Sequence, residues 1–252
     1  MRNIVAGNWK SNKLMNEGIE LMDAITKGLP TLHKTEVIVA PPAPYLAQFS
    51  AQYKGNAVHL SAQQCSEHGH GAHTGEYTAE MLRSSGVTHV IIGHSERRDR
   101  FGESFEVVQS KVNQAIGASL HVLLCCGEPL EVRESEEHFE LISKQLKDAL
   151  ADVDSAKMAN ITIAYEPVWA IGTGVTASAD QAQEMHQFIR EQLGNWFNPQ
   201  VASTTRILYG GSCKPSNAAE IFGQPDVNGG LIGGAALEAS SFLSLVAASE
   251  AS

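Results

Sequence analysis

The chain lacks any apolar run approaching the roughly 18 residues that cross a bilayer, so a transmembrane helix is not expected. Its start, "MRNIVAGNWK", passes straight into a short apolar run with no secretory h-region or cleavage site, which makes the cytoplasm the expected compartment. Cysteine is scarce. Cys65, Cys125, Cys126 and Cys213 form no CxxC pair, and the adjacent Cys125 and Cys126 would point to opposite faces of a strand. They are expected to be buried, reduced packing residues rather than a disulfide framework. Positive charge is short too: Lys and Arg number 18 against 28 Asp and Glu, and the net charge of −10 argues against a nucleic acid or an anionic membrane as partner. A small anion in a locally positive pocket stays open, because solvated charges are screened over about 8 Å.

What is present reads as one repeating pattern. Short β-prone runs, "NIVAGN", "EVIVAPP", "AVHLSAQ", "HVIIGH", "HVLLCCG", "ITIAYE", "RILYGG" and "GGLIGG", are each followed by a helix-like stretch. Most are continuous apolar runs rather than alternating ones, the signature of strands covered on both faces. In "SADQAQEMHQFIREQLGNW", Ser178 and Gln181 make a capping box, and Ala182, Met185, Ile189 and Leu193 form one apolar stripe. Another stripe runs through Phe139, Ile142, Leu146 and Leu150, while "KPSNAAEIFG" places Pro215 near a helix start and Gly223 near its end. With 252 residues, no composition break and no linker, the chain 1–252 is expected to be one α/β domain, a single (β/α)8 barrel. A doubly wound open sheet is the alternative, but "AGNWKSN" after the first run is not the GxGxxG of a dinucleotide-binding turn.

A barrel does its chemistry where its strands end. The first run ends in Asn8 and Lys10, the fourth in His94, the sixth in Glu166, and the seventh and eighth in paired glycines. These residues, far apart in sequence, would share one face. Glu166 closes an apolar strand; a carboxylate there is costly to bury unless paired or working, and desolvation makes a carboxylate a stronger base. A structural ion pair is the plainer reading. His94 opens "HSERRDRF", where a helix N-terminus favours a neutral imidazole able to donate to a carbonyl, although capping or packing would explain it equally. Lys10 could be a solvated charge, a complement to phosphate or a developing oxyanion, or a Schiff-base nucleophile. "YGGSCKP" and "LIGGAAL" are either tight turns needing positive φ or backbone cradles for an anion. "AYEPVWAIGTGVTAS" combines a stiff proline, an apolar "VWA" and a bendable "GTG"; it is turn punctuation or a lid. The loop with Cys65, His68, His70 and His73 superficially suggests zinc, but lacks fixed ligand spacing and reads better as a protruding interaction loop.

The motifs "GNWK", "GHSERR", "CCGE", "AYEPVWAIGTG", "YGGS" and the glycine pair of "LIGGAAL" together resemble the triosephosphate isomerase family, from about Arg2 to the last helix. The resemblance implies a TIM barrel that interconverts dihydroxyacetone phosphate and D-glyceraldehyde 3-phosphate with no cofactor and no metal. It implies Glu166 as base, His94 as neutral electrophile, and Lys10 and Asn8 beside the substrate. Glu96 would support them, and the backbone of Gly172, Ser212, Gly233 and Gly234 would take the phosphate. It further implies a homodimer docked through the loop carrying Thr74. Departures from the family pattern are Val175 at the far end of the lid, Gln64 and His73 in the docking loop, Asn228 near the eighth strand, and Ala236. None falls on a catalytic position. A Schiff-base aldolase, a non-catalytic sugar-phosphate binder and a zinc-dependent barrel hydrolase remain rivals.

Overall fold

A computed structural model describes residues 2–171 and 176–252. Eight parallel strands close into a barrel in sequence order: β1 (Asn3–Asn8), β2 (Thr35–Ala40), β3 (Val58–Ala62), β4 (His89–Ile92), β5 (His121–Glu128), β6 (Ile161–Pro167), β7 (Ile207–Tyr209) and β8 (Gly229–Ile232). Closure runs through β1, which pairs with β2 on one side and β8 on the other. The open-sheet alternative therefore falls.

The continuous apolar runs are explained by two layers of packing. Ile4, Ala6, Ile38, Ala40, Ile91, Leu123, Cys125, Ala164, Leu208 and Leu231 fill the barrel interior. Their chain neighbours, among them Val5, Val37, Val39, Val90, Val122, Leu124 and Ile163, face outward into the larger core beneath the helices. Side chains alternate along each strand, yet both faces are dry, so alternation leaves no polar trace in the sequence. Cys125 points inward and Cys126 outward, and all four cysteines are buried and unpaired.

Helix Ala179–Trp196 begins at Ser178, whose Oγ accepts from the Gln181 amide at 3.1 Å while Ser178 N donates to Gln181 Oε1 at 3.0 Å. It buries Ala182, Met185, Ile189 and Leu193 against the barrel, each large aliphatic side chain contributing about 1.5–3 kcal/mol. Pro215 lies farther from a helix than its sequence suggests. The helix after β7 is Ala218–Phe222, because the Asn217 side chain accepts from Lys214 N at 2.8 Å and makes a turn first.

Candidate active site

At the carboxyl ends of the strands lies a cavity of about 540 Å³ whose lining includes Asn8, Lys10, His94, Glu166, Ser212, Gly233 and Gly234. Seven of the nine residues expected at the site by position or backbone thus border one space, and Glu96 contacts it through Lys10. Gly172 and Val175 lie outside the described residues.

Glu166 ends the long strand β6 and is 2 % exposed. Its Oε2 accepts from Ser95 N at 3.0 Å, its Oε1 lies 3.4 Å from Ser95 Oγ, and that same Oε1 is 3.1 Å from His94 Nε2. No lysine or arginine is paired with it among the described residues, so the structural ion pair is not what holds it. Two glycines make room for this strand. A Cβ on Gly210 would come within 2.8 Å of Glu166 Cγ, and one on Gly127 within 2.0 Å of Glu166 O. Gly210, Gly211, Gly233 and Gly234 all lie outside the positive-φ region. The pair after β7 serves close approach, a Cβ on Gly211 coming within 2.9 Å of Pro167 Cγ, whereas a Cβ on Gly234 would meet nothing within 4 Å.

His94 does two things at once. It is the N-cap of helix Ser95–Phe101, and its Nδ1 accepts from Glu96 N at 3.2 Å. A ring whose Nδ1 accepts carries its single proton, when neutral, on Nε2. That N–H faces Glu166 and the cavity, so capping fixes the tautomer rather than competing with chemistry.

Lys10 adopts φ 51°, a left-handed conformation unusual outside glycine. Asn8 Oδ1 accepts its amide at 3.0 Å, and Gln63 Nε2 donates to the Lys10 carbonyl at 2.8 Å and to Ala40 O at 2.9 Å. The strained residue is thereby held from both sides, and its Nζ reaches Glu96 Oε1 at 2.7 Å. Burial alone would raise the Glu96 carboxyl; the Lys10 ammonium outweighs it and holds that carboxyl below its usual range. Gln63 and Ser95 were not singled out in the sequence as site residues, because each acts on or through a main-chain group that residue type does not advertise.

Beyond Glu166 the chain turns through Val168–Ala170. Trp169 Nε1 donates to Glu128 Oε1 at 3.0 Å and Tyr165 OH donates to the same oxygen at 2.8 Å. Burial raises the Glu128 carboxyl above its ordinary value, against the pull of these two donors. Glu128 is thus the anchor of this exit turn.

The loop after β3 exposes residues 68–76, Thr74 among them. The zinc reading of that loop fails on geometry. Cys65 is buried with Sγ toward Lys111 O at 3.9 Å, His70 pairs with Glu80 at 2.8 Å, and His68 stacks on His73 with centroids 4.2 Å apart. Gln64 turns inward, where its Oε1 accepts from the buried Lys111 at 2.9 Å; Lys111 also binds Glu103 at 2.6 Å. Asn228 Oδ1 accepts from Arg190 at 3.0 Å and from Ile207 N at 3.0 Å, while Asp226, 2.5 Å from Arg190, supplies the negative charge. Ala236 packs against Gly7, where an added Cβ would approach it to 2.9 Å.

Comparison with known proteins agrees with this arrangement. The family model described as triosephosphate isomerase matches residues 3–249. The triosephosphate isomerase of Flavobacterium psychrophilum is 47 % identical over 96 % of this chain and 97 % of its own. That of Porphyromonas gingivalis is 45 % identical over 98 % and 99 %, and that of Prosthecochloris aestuarii 47 % over 100 % and 99 %. With the motif residues gathered around one cavity and the match running nearly end to end, the chain belongs to the triosephosphate isomerase family.

Proposed function

We propose that this chain, folded over 1–252 as one barrel domain, interconverts dihydroxyacetone phosphate and D-glyceraldehyde 3-phosphate, with Glu166 as base and His94 as electrophile. The observation that carries the reading is the Glu166 carboxylate 3.1 Å from His94 Nε2 at the wall of a cavity bordered on another side by Ser212, Gly233 and Gly234. Substrate phosphate rests on the backbone of those residues and of Gly172. The carbonyl at C2 points to His94 Nε2–H, and C1 to Glu166. Glu166 leaves its hydrogen bond with Ser95, takes a proton from C1, and the electron pair moves to the C2 oxygen as an enediolate. His94 donates to that oxygen, the Lys10 ammonium offsets its charge, and Asn8 holds Lys10 in place. His94 gives its Nε2 proton to the C2 oxygen and takes one from the C1 hydroxyl, so the hydroxyl proton passes from the C1 to the C2 oxygen, and Glu166 returns its proton to C2.

The magnitudes fit a shared task. A positioned base is worth about 10²–10⁴-fold and one preorganised donor about 3–4 kcal/mol, so neither suffices alone. The segment after Pro167 closes over the bound phosphate and excludes water. An aldolase would need Lys10 as a free amine, whereas its Nζ is paired with Glu96.

The test is deuterium uptake at C1 of dihydroxyacetone phosphate in D₂O, followed by NMR, for the wild type and Glu166→Asp. Fast wild-type exchange with glyceraldehyde 3-phosphate appearing, and a loss of about 10²–10³-fold in the variant, is expected. A folded wild type that binds the phosphate without exchange would leave only a binder.

The working form is a homodimer, docked through the exposed loop that carries Thr74. Exposed Leu14 and Phe101, on the segments after β1 and β4, offer apolar surface of the kind a partner would cover. Thr74→Arg is expected to shift the sedimentation coefficient toward the monomer; an unchanged dimer would remove this loop from the interface. The compartment is the cytoplasm, where sugar phosphates are handled and where four buried thiols stay reduced. Among the described residues, no helix is long and apolar enough to cross a membrane.

A further inference from the structure

Polar side chains also gather at the opposite end of the barrel, where the strands begin. Glu36 is the second residue of β2, His59 the second of β3 and His89 the first of β4, so three consecutive strands each contribute one group. One ligand atom from each lies within 4.8 Å of the other two. Glu36 Oε1 is 3.4 Å from His89 Nε2 and 3.7 Å from His59 Nε2. Those separations are long for hydrogen bonds. They are close to the edge of a tetrahedron built on zinc–nitrogen and zinc–oxygen bonds of about 2.0–2.2 Å, which is roughly 3.3–3.6 Å.

We propose that Glu36, His59 and His89 form a site for one divalent transition-metal ion, zinc foremost, that ties β2, β3 and β4 together at the amino-terminal end of the barrel. Two neutral imidazoles and a carboxylate with a fourth position for water is a ligand set that zinc accepts.

The surroundings have the marks of a built site. The His89 side chain is 6 % exposed and that of Glu36 17 %, so both are fixed; His59, at 47 %, leaves a path for the ion and its water. His89 Nδ1 is 2.8 Å from Thr88 Oγ1, and that hydroxyl lies 3.3 Å from Leu60 O. When the hydroxyl donates to Leu60, it accepts from Nδ1–H, and the Nε2 lone pair is left facing Glu36. A second partner that orients the ring in this way is the usual companion of a metal-bound histidine. Arg206 donates to the other carboxylate oxygen of Glu36 at 2.7 Å. It fixes that carboxylate and also opposes a divalent charge.

The site is remote from the chemistry. Along β6 the step from Thr162, at this end, to Glu166 spans four residues, about 13 Å. Polar residues at this face of a barrel bear on stability, so the ion acts as a staple and leaves turnover unchanged.

The test uses the full chain stripped with a chelator and titrated with zinc chloride. Equilibrium dialysis should give one zinc per chain. At zinc a hundredfold above Kd, the melting temperature should rise by about 5–10 °C. His59→Ala changes a half-exposed side chain, so its metal-free melting temperature and isomerase rate should match the wild type while the zinc response disappears. His68→Ala should keep the response. Cobalt(II) supplies a readout that needs no variant, an intense visible band from a four-coordinate site where a solvated ion absorbs faintly. No bound zinc, a response that survives His59→Ala, one that disappears in His68→Ala, or a faint cobalt spectrum would each overturn the proposal.

Discussion

The two ends of the barrel are built from the same eight strands, yet their polar residues do opposite things. At the carboxyl end, Glu166, His94 and Lys10 border an open cavity, and their hydrogen bonds leave Nε2–H and Nζ directed into it. At the amino end, Glu36 binds Arg206 at 2.7 Å, and His121 Nε2 lies 2.9 Å from Thr162 Oγ1 and 3.2 Å from Arg206. Those groups face each other. The first cluster keeps capacity in reserve for a substrate; the second spends much of it within the fold, and what Glu36, His59 and His89 keep is turned toward an ion rather than a reaction. The lesson is that polarity alone does not mark a reaction centre, whereas polarity with room in front of it does.

The sharpest break of this comparison is a pair of variants read by two measurements. Glu166→Asp should lose about 10²–10³-fold in kcat and leave the melting temperature nearly unchanged. Arg206→Met should do the reverse. It leaves Glu36, 17 % exposed at its side chain, without its cation, at a cost of about 2–3 kcal/mol. That corresponds to a melting temperature lower by roughly 5–10 °C with kcat retained. If Arg206→Met also lost activity at a temperature where it is folded, the two ends would be coupled and the division would fail.

Acid should act on the folded scaffold through its buried histidines. Burial pushes His121 down to about 3, aided by the neighbouring His89 and Arg206, and burial pushes His186 down to about 4. Both values lie below the unfolded value of about 6.5, so the unfolded chain binds protons first. Their stabilisation is full above pH about 6.5 and is lost as pH falls toward the folded values. His186 alone accounts for on the order of 2–3 kcal/mol. Calorimetry between pH 7 and 4 should show the melting temperature falling, and His186→Gln should flatten the slope. An unchanged slope would assign the acid sensitivity elsewhere.

The smallest expected effect belongs to Gln63→Ala. It removes the hydrogen bond to the Lys10 carbonyl, which supports that residue's left-handed conformation, and the one to Ala40 O that anchors the same amide, a loss of about 1–2 kcal/mol. KM should rise several-fold with kcat less affected. An unaltered KM would mean that Asn8 suffices to position Lys10.

Much of this was legible in the chain, and the reasons are specific. Continuous apolar runs announced strands buried on both faces, and polar residues at their ends marked the mouth. The capping box at Ser178 and Gln181 and the opposed Cys125 and Cys126 follow from local periodicity alone. Pro215 stands three residues before the helix rather than in its first turn, because the Asn217 turn comes between. The glycines of "YGGS" are recognisable as special, but the positive-φ turn that the pattern offers as one reading is absent. Their need comes from β6 passing alongside, a distance no local pattern encodes. The amino-end cluster escaped entirely. Glu36, His59, His89 and His121 come from four strands, and each alone looks like an ordinary polar residue near a strand start.

The placement of the cysteines gives the protein a set of internal clocks. Cys125 is inside the barrel, Cys126 is between barrel and helices, Cys65 is under the exposed loop and Cys213 follows β7. Burial pushes the Cys65 and Cys213 thiols up to about 12 and raises those of Cys125 and Cys126 above the ordinary range. An alkylating reagent therefore finds no reactive thiolate until a region opens. The order in which the four are modified is a record of which part of the molecule breathes first, written in mass increments that a spectrometer can read.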